Sequence, residues 1–425
     1  MSHAPWQFLA TSSPAERRTL LASTLGWMLD GMDVTLYAMV ITELLRELQL
    51  KPAQAGLLAS LTLIASAAGG ILFGVLADRA GRRRALMASI LVYSVFTAAC
   101  GFSRTVTELA VFRFLLGLGM GGEWATGAAL VAETWRAEHR GKALGLMQSG
   151  FAIGYALAAV VTALVLPRWG WRAVFFVGLL PALVTLWIRR GVEESPLWAA
   201  QATSGNVATR ADYSTTLAPL GITSRYRRSI LVTLLMNATA LFGWWGLFTW
   251  IPPYLALPTT QGGRGLTIAA SSLWIVAMQA GMWLGYVTFG FVSDALGQKR
   301  TYVAYLLLAA ALVPLYARAQ APASLLLLGP LVAFFGTGHF TGFGVITAEL
   351  FPTSFRASAM GLTYNFGRAL SAAAPWLMGW VAERRSLNSA FWISGVAFLL
   401  AGLIALGIPQ TRGRSLTEDP QPQAR

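Results

Sequence analysis

Charge is scarce in this chain, and the residues that usually carry chemistry are scarcer. Asp, Glu, Lys and Arg together make up 12% of its 425 residues, against 56% hydrophobic residues. A soluble domain of this length could not bury so much apolar surface, so the chain is predicted to lie in a bilayer. The single cysteine, Cys100, excludes an intramolecular disulfide and reads as a small apolar residue inside an apolar run. Three histidines, His3, His139 and His339, are scattered, and neither a cluster with metal-ligand spacing nor a nucleophile with its base is visible. No GxxxxGK[ST] loop occurs, which argues against ATP as an energy source. No enzymatic activity, metal or cofactor is therefore expected. The formal charge of +14 does not point to nucleic acid, because the basic residues sit in short clusters between apolar runs.

What the chain has is an internal repeat. The stretch Gly74 to Arg84, GVLADRAGRRR, returns as GFVSDALGQKR from Gly290 to Arg300, and both copies share the frame GxxxDxxGxxR. Glu133, Arg140 and Gly145 likewise return as Glu349, Arg356 and Gly361, so 290 − 74 and 349 − 133 give the same offset of 216 residues. Two independent matches at one offset predict two parallel halves with equivalent helices.

Runs long enough to span hydrocarbon at about 1.5 Å per residue fall at roughly 20–45, 53–77, 85–103, 106–131, 142–166 and 172–190. A second six fall at roughly 229–257, 267–292, 301–318, 323–347, 357–382 and 388–408. The expected fold is an all-α membrane protein with twelve transmembrane helices in two pseudo-symmetric six-helix halves. Its domains are residues 1–190, a linker at 191–228, residues 229–408 and a tail at 409–425. Arg17 and Arg18 precede a long apolar segment without a small-residue cleavage pattern, which predicts a first spanning helix and not a removed signal. With the N-terminus inside, inner loops and tails hold 21 of the 32 Lys and Arg residues, outer loops nine, and Arg113 and Arg368 are intramembrane. Both termini are thus expected in the cytoplasm, with the chain multi-pass in the inner membrane. Small residues at Ala65 to Gly70 and Gly117 to Gly122 would let helices approach closely.

Ionisable residues inside spans are costly and usually functional. Asp30 and Asp33 share one face of the first span. The fourth span runs back inward, which puts Arg113 roughly 10 Å and Glu123 roughly 25 Å below its outer end. At those depths Asp33 is expected to pair with Arg113, and Asp30 to lie level with Glu123. A carboxylate beside an arginine stays ionised, whereas two facing carboxylates can hold a proton between them, so Asp30, Asp33, Arg113 and Glu123 form the candidate proton-coupling set. Shifted by 216 residues, these become Gly246, Thr249, Gly329 and His339, which places coupling in the first half. In the second half Arg368 stands roughly 16 Å into the eleventh span, its counterpart being Ala152. A guanidinium fork matches a carboxylate, so Arg368 with Asn365 on its face is the candidate anion site, joined by Tyr364, Trp245 and His339 as lining. Asp78, Arg84, Glu133, Arg140, Asp294, Arg300, Glu349 and Arg356 at the inner ends are candidate gates that make and break salt bridges.

The duplicated loop motif, twelve spans and half-chain repeat resemble the major facilitator superfamily over residues 20 to 415. LDGMDVTLYAMV in the first span and RFLLGLGMGGEWATGAALVAE in the fourth resemble its sialate and lactate proton-symporter branch. EESPLW at Glu193 and PQTRGRSL at Pro409 are similar to a pattern shared by sugar and organic-acid porters. The seventh span, NATALFGWWGLFTW, lacks the paired glutamines of sugar porters, and GFAIGYALAA lacks the Gly-Pro kink of drug antiporters. The resemblance implies proton-coupled uptake of a small organic anion by alternating access, with protons and the lipid bilayer as the other partners and a monomer expected. It also implies pairing of a first-span Asp with a fourth-span Arg. An aromatic-acid symporter, a sugar or polyol porter, and a non-transporting sensor on the same fold are the competing readings.

Overall fold

The computed structural model describes residues 7–195, 198–199, 224–351 and 356–409. Most of the expected linker and all but the first residue of the expected tail lie outside them. The short α1 (Gln7–Ala10) is followed by α2 (Pro14–Glu47), α3 (Pro52–Ala80), α4 (Arg82–Cys100), α5 (Val106–Thr134), α6 (Ala137–Val177) and α7 (Pro181–Gly191). The second half comprises α8 (Ser224–Ala256), α9 (Ile268–Leu296), α10 (Gln298–Arg318), α11 (Pro322–Leu350), α12 (Arg356–Ser371), α13 (Ala373–Arg384) and α14 (Leu387–Ala405). Among the described residues, nine helices are long and apolar enough to cross a membrane, and the protein is a multi-pass membrane protein.

Local chemistry sets the helix ends. Ser13 Oγ accepts from the amide of Glu16 at 3.1 Å, while the Glu16 carboxylate accepts from the Ser13 amide at 2.7 Å, a reciprocal cap followed by Pro14. The Glu16 carboxylate also accepts from the Arg136 guanidinium at 3.1 Å, which ties the start of α2 to the α5–α6 turn. The repeated frame GxxxDxxGxxR has a backbone reason. Its second glycine joins α3 to α4 as Gly81 with φ 102°, and α9 to α10 as Gly297 with φ 92°, a conformation open to glycine and strained for other residues.

Three spans depart from single straight helices. The fifth and sixth are merged in α6, which turns at Gly170 (φ 74°, ψ 177°) just after Pro167. The eleventh is split between α12 and α13 at Ala372, because Pro375 has no amide to offer the carbonyl one turn back.

The repeat extends to packing. In the first half α3 lies against α5, and in the second α9 lies against α11. A β-carbon at Gly69 would collide with the Leu118 carbonyl, and one at Gly285 with the Phe334 carbonyl; each residue pair lies 216 positions from the other. Small residues thus bring backbones together where lipid removes the hydrophobic drive for association. Between halves, α6 packs on α9 and α3 on α13.

The two ends of the bundle differ. At the end bearing Pro52, the halves interlock: a β-carbon at Gly56 would strike the Pro375 carbonyl, one at Gly379 would strike the Pro52 carbonyl, and the Trp376 amide donates to Ser60 Oγ at 3.2 Å. At the end bearing Asp78, Gly74, Gly145, Gly290, Gly344 and Gly361 have nothing within 4 Å of where a β-carbon would stand. Gly69→Val should therefore destabilise the purified protein by about 1–3 kcal/mol through overpacking, visible as a lower melting midpoint. Gly74→Ala should stay within about 1 kcal/mol of the parent, and a Gly74→Ala melting point depressed as far as that of Gly69→Val would contradict this packing.

Candidate functional site

The first-half carboxylates converge. Asp30, Asp33 and Glu123 are 1%, 2% and 0% exposed. Glu123 projects from α5 onto α2, its Oε1 only 2.5 Å from where a β-carbon of Gly26 would stand, so glycine at that position makes the approach possible. Asp30, one helical turn along α2, lies within electrostatic reach of Glu123. Neither carboxylate has a hydrogen-bond partner on either oxygen. Tyr93 of α4 stands among all three acids, fully buried, with its hydroxyl 3.4 Å from the Gly26 carbonyl. Tyr93 sits in an ordinary apolar run, where no pattern marks it.

Arg368 meets this cluster from the other half. It is 3% exposed, its Nε has no partner, and Asp30 and Tyr364 are the groups within its electrostatic reach. The guanidinium lines a pocket whose aromatic walls include Trp27, Phe151, Trp244, Trp245, Tyr286 and Tyr364. Gln148 also lines it and accepts from Trp124 Nε1 at 3.0 Å. Trp124 in turn stacks on Tyr364 across the half boundary, with ring centroids 4.5 Å apart. Of the expected lining residues, Tyr364 and Trp245 are in place. Gln148, Trp27 and Trp124 were not foreseen, because a lone polar or indole side chain in a span carries no sequence signal of the direction it faces.

Several expectations are corrected. Asp33 and Arg113 form no ion pair: the Arg113 Nε donates to the Leu58 carbonyl at 3.2 Å, and its Cζ lies 3.6 Å from the centre of the Tyr37 ring. The rotation of α5 turns Arg113 toward α3 and the outer part of α2, while Asp33 faces Thr97 of α4. His339 does not line the cavity; its ring packs among Tyr302, Phe340 and Phe398 at centroid distances of 5.6, 4.3 and 6.2 Å. Asn365 faces Gly70 of α3 and not the cavity, its Oδ1 3.0 Å from the place of a β-carbon there.

At the open end the ionic contacts lie within a half. Glu133 accepts from Arg82 Nε and Nη2 at 3.2 and 3.1 Å and from Ser195 Oγ at 2.5 Å, and Arg82 also pairs with Asp78. Trp198 Nε1 donates to the Asp78 carbonyl at 2.7 Å, and Glu194 accepts from the Arg83 amide at 3.0 Å. Arg82 holds this network, whereas Arg84 and Arg300 are exposed and form no ion pair among the described residues. In the second half Gln298 Nε2 donates to Glu349 at 2.8 Å, 216 residues after the Arg82–Glu133 contact, so the repeat keeps the contact and drops the positive charge. Asp294 is exposed, and the side chains of Arg140 and Arg356 lie outside the described residues. Because glutamine already fills this role in the second half, Arg82→Gln should lower the melting midpoint less than Glu133→Ala, which strips the network of its acceptor and should cost about 1–3 kcal/mol. The reverse order in thermal melts of the purified variants would contradict the shared role.

A sequence profile of the Major Facilitator Superfamily matches residues 24–270 and 253–425. The sialic acid transporter NanX of Escherichia coli is 32% identical over 93% of this chain and 95% of its own length. The cis,cis-muconate transport protein of Acinetobacter baylyi is 29% identical over 90% of this chain and 92% of its own length. Among solved structures, the xylose transporter XylE of Escherichia coli in a partially occluded inward-open conformation superposes with a TM-score of 0.75 at 20% identity, covering 95% of this chain and all of that one.

Proposed function

This chain belongs to the Major Facilitator Superfamily and is a transporter, not an enzyme, and we propose that it imports a small organic acid together with a proton. The observation that carries the reading is Arg368 of the second half, buried in an aromatic-lined pocket with its Nε unpartnered and within electrostatic reach of the buried Asp30 of the first half. Both similar transporters named above are named for acids, which supports a carboxylate as cargo. In the empty protein the negative charge near Arg368 comes from Asp30. A substrate carboxylate arriving at the guanidinium adds a second negative charge to a site of low dielectric. Taking a proton onto the Asp30–Glu123 cluster removes that repulsion, so substrate and proton bind together. Tyr93 stands where its hydroxyl can follow the proton among the three acids.

Directionality follows from the two ends. The Asp78 end carries the basic loops and is the cytoplasmic side, with both termini there and the chain in the inner membrane. The Pro52 end is then the sealed outer face, and the structure is inward-facing. Alternating access requires the Gly56–Pro375 and Gly379–Pro52 contacts to open while the glycine faces of the inner end close. The network around Glu133 holds the inner ends of α3 and α5 as one body during that movement. The transporter acts as a monomer, since the site is complete within one chain. An aromatic acid is the favoured cargo among carboxylates, because the cavity walls are rings; a neutral sugar would leave Arg368 without an anion.

Two measurements test this. Arg368→Lys keeps the charge but not the planar fork, and should weaken binding of the preferred acid, found by a thermal-shift screen of mono- and dicarboxylates, by about tenfold or more in a folded protein; unchanged affinity removes Arg368 from the site. Asp30→Asn should abolish uptake driven by a pH gradient yet spare exchange of labelled for unlabelled acid, and should eliminate proton uptake on adding substrate to weakly buffered protein. Gradient-driven uptake surviving in both Asp30→Asn and Glu123→Gln would sink proton coupling at this cluster.

A further inference from the structure

A second pocket lies toward the sealed end, beyond the first. Trp244 and Trp245 line both, and so form the partition between them. Their rings meet edge to face at 4.7 Å; Trp244 stacks on Phe248 at 4.9 Å and donates from Nε1 to Thr337 Oγ1 at 3.1 Å. The charged group of the farther cavity is Arg113. Its guanidinium is 1% exposed and is held in place twice, by the Leu58 carbonyl and by the face of Tyr37, whose own hydroxyl donates to the Ala55 carbonyl at 2.8 Å. That anchoring leaves Nη1 buried without a hydrogen-bond partner. No carboxylate forms an ion pair with Arg113 among the described residues.

A buried cation with an unfilled donor and no counter-charge is a costly arrangement that an arriving anion relieves. Cation-π contact with Tyr37 offsets only part of the lost hydration. The remaining walls carry two hydroxyls, Thr35 and Thr249, and otherwise groups such as Tyr155, Phe248, Leu63 and Val34 that suit an apolar or aromatic body, with no second basic group for another carboxylate. Arg113 and Arg368 stand on opposite halves, one in each cavity, with the paired tryptophans between them.

We propose that the Arg113 cavity is a second carboxylate-binding subsite for the transported acid, occupied on the outer side of the Trp244–Trp245 partition. This rests on the carboxylate reading above. The acid meets Arg113 first, and passes the tryptophans to Arg368 as the outer face closes. The partition makes the two stations separate and sequential, and Arg113 belongs to the path of the substrate, not to the proton.

The test is a crystal of the full chain soaked with 4-bromobenzoate, with bromine located by its anomalous scattering. The expected result is one bromine in each cavity, with the carboxylate on Arg113 Nη1 in the outer one. The neutral isostere 4-bromobenzamide should leave the Arg113 cavity empty. In solution, equilibrium dialysis of 4-bromobenzoate should give two sites per chain for the parent and one for Arg113→Gln. Bromine at Arg368 alone, or two dialysis sites retained in a folded Arg113→Gln, would overturn the second subsite and leave the proposed function standing. Equal occupancy of the Arg113 cavity by the amide would overturn its carboxylate character. Bromine in neither cavity would overturn the carboxylate reading of both.

Discussion

Ionised groups placed where water is excluded are the constraint to which the rest of this protein answers. Asp30, Asp33, Arg113, Glu123 and Arg368 are each at most 3% exposed, inside spans that are otherwise apolar. Such groups are tolerated in a bilayer when they face one another or a cavity, and five of them oblige the helices that carry them to arrange themselves around a polar centre. The aromatic walls of the two cavities complete that arrangement. They exclude lipid and bulk water, so the guanidinium groups act at low dielectric and a single carboxylate or proton shifts the balance of charge appreciably.

Glycine makes this geometry reachable. Glu123 reaches Asp30 because Gly26 leaves room on α2, and α3 seats against α5 because Gly69, Gly117 and Gly121 present bare backbone. Elsewhere Gly56 and Gly379 at the sealed end sit against carbonyls of the opposite half, while Gly74, Gly145, Gly290, Gly344 and Gly361 at the other end face open space. A fold with close-fitting small residues at one end and unfilled ones at the other has one face locked and one free. A transporter that exposes its site to one side at a time requires that asymmetry.

The internal repeat shows what is shared scaffold and what is specialised. The turn glycines Gly81 and Gly297, the Gly69–Leu118 and Gly285–Phe334 contacts, and the Arg82–Glu133 and Gln298–Glu349 bonds recur at the same offset. These belong to the rigid halves. The intramembrane charges do not recur: Asp30, Asp33 and Arg113 have no polar equivalent that titrates, and Arg368 has only Ala152. Function is therefore written in the positions where the halves differ.

The sequence by itself determined the membrane class, the repeat, and the order and approximate limits of the spans. Composition, apolar run length and a fixed rise per residue are properties of the chain read along its own axis, and they survive folding unchanged. Only the tertiary structure decided which way each charge faces. Rotation about a helix axis and the choice of neighbouring helix are set by packing among distant segments, through small residues whose partners are hundreds of positions away. For that reason the sequence pairs Arg113 with the wrong companion, credits His339 with a cavity it does not see, and passes over Tyr93. The nearness of Asp30 to Arg368 needed both halves to be docked, since no pattern within either one records what the other presents to it.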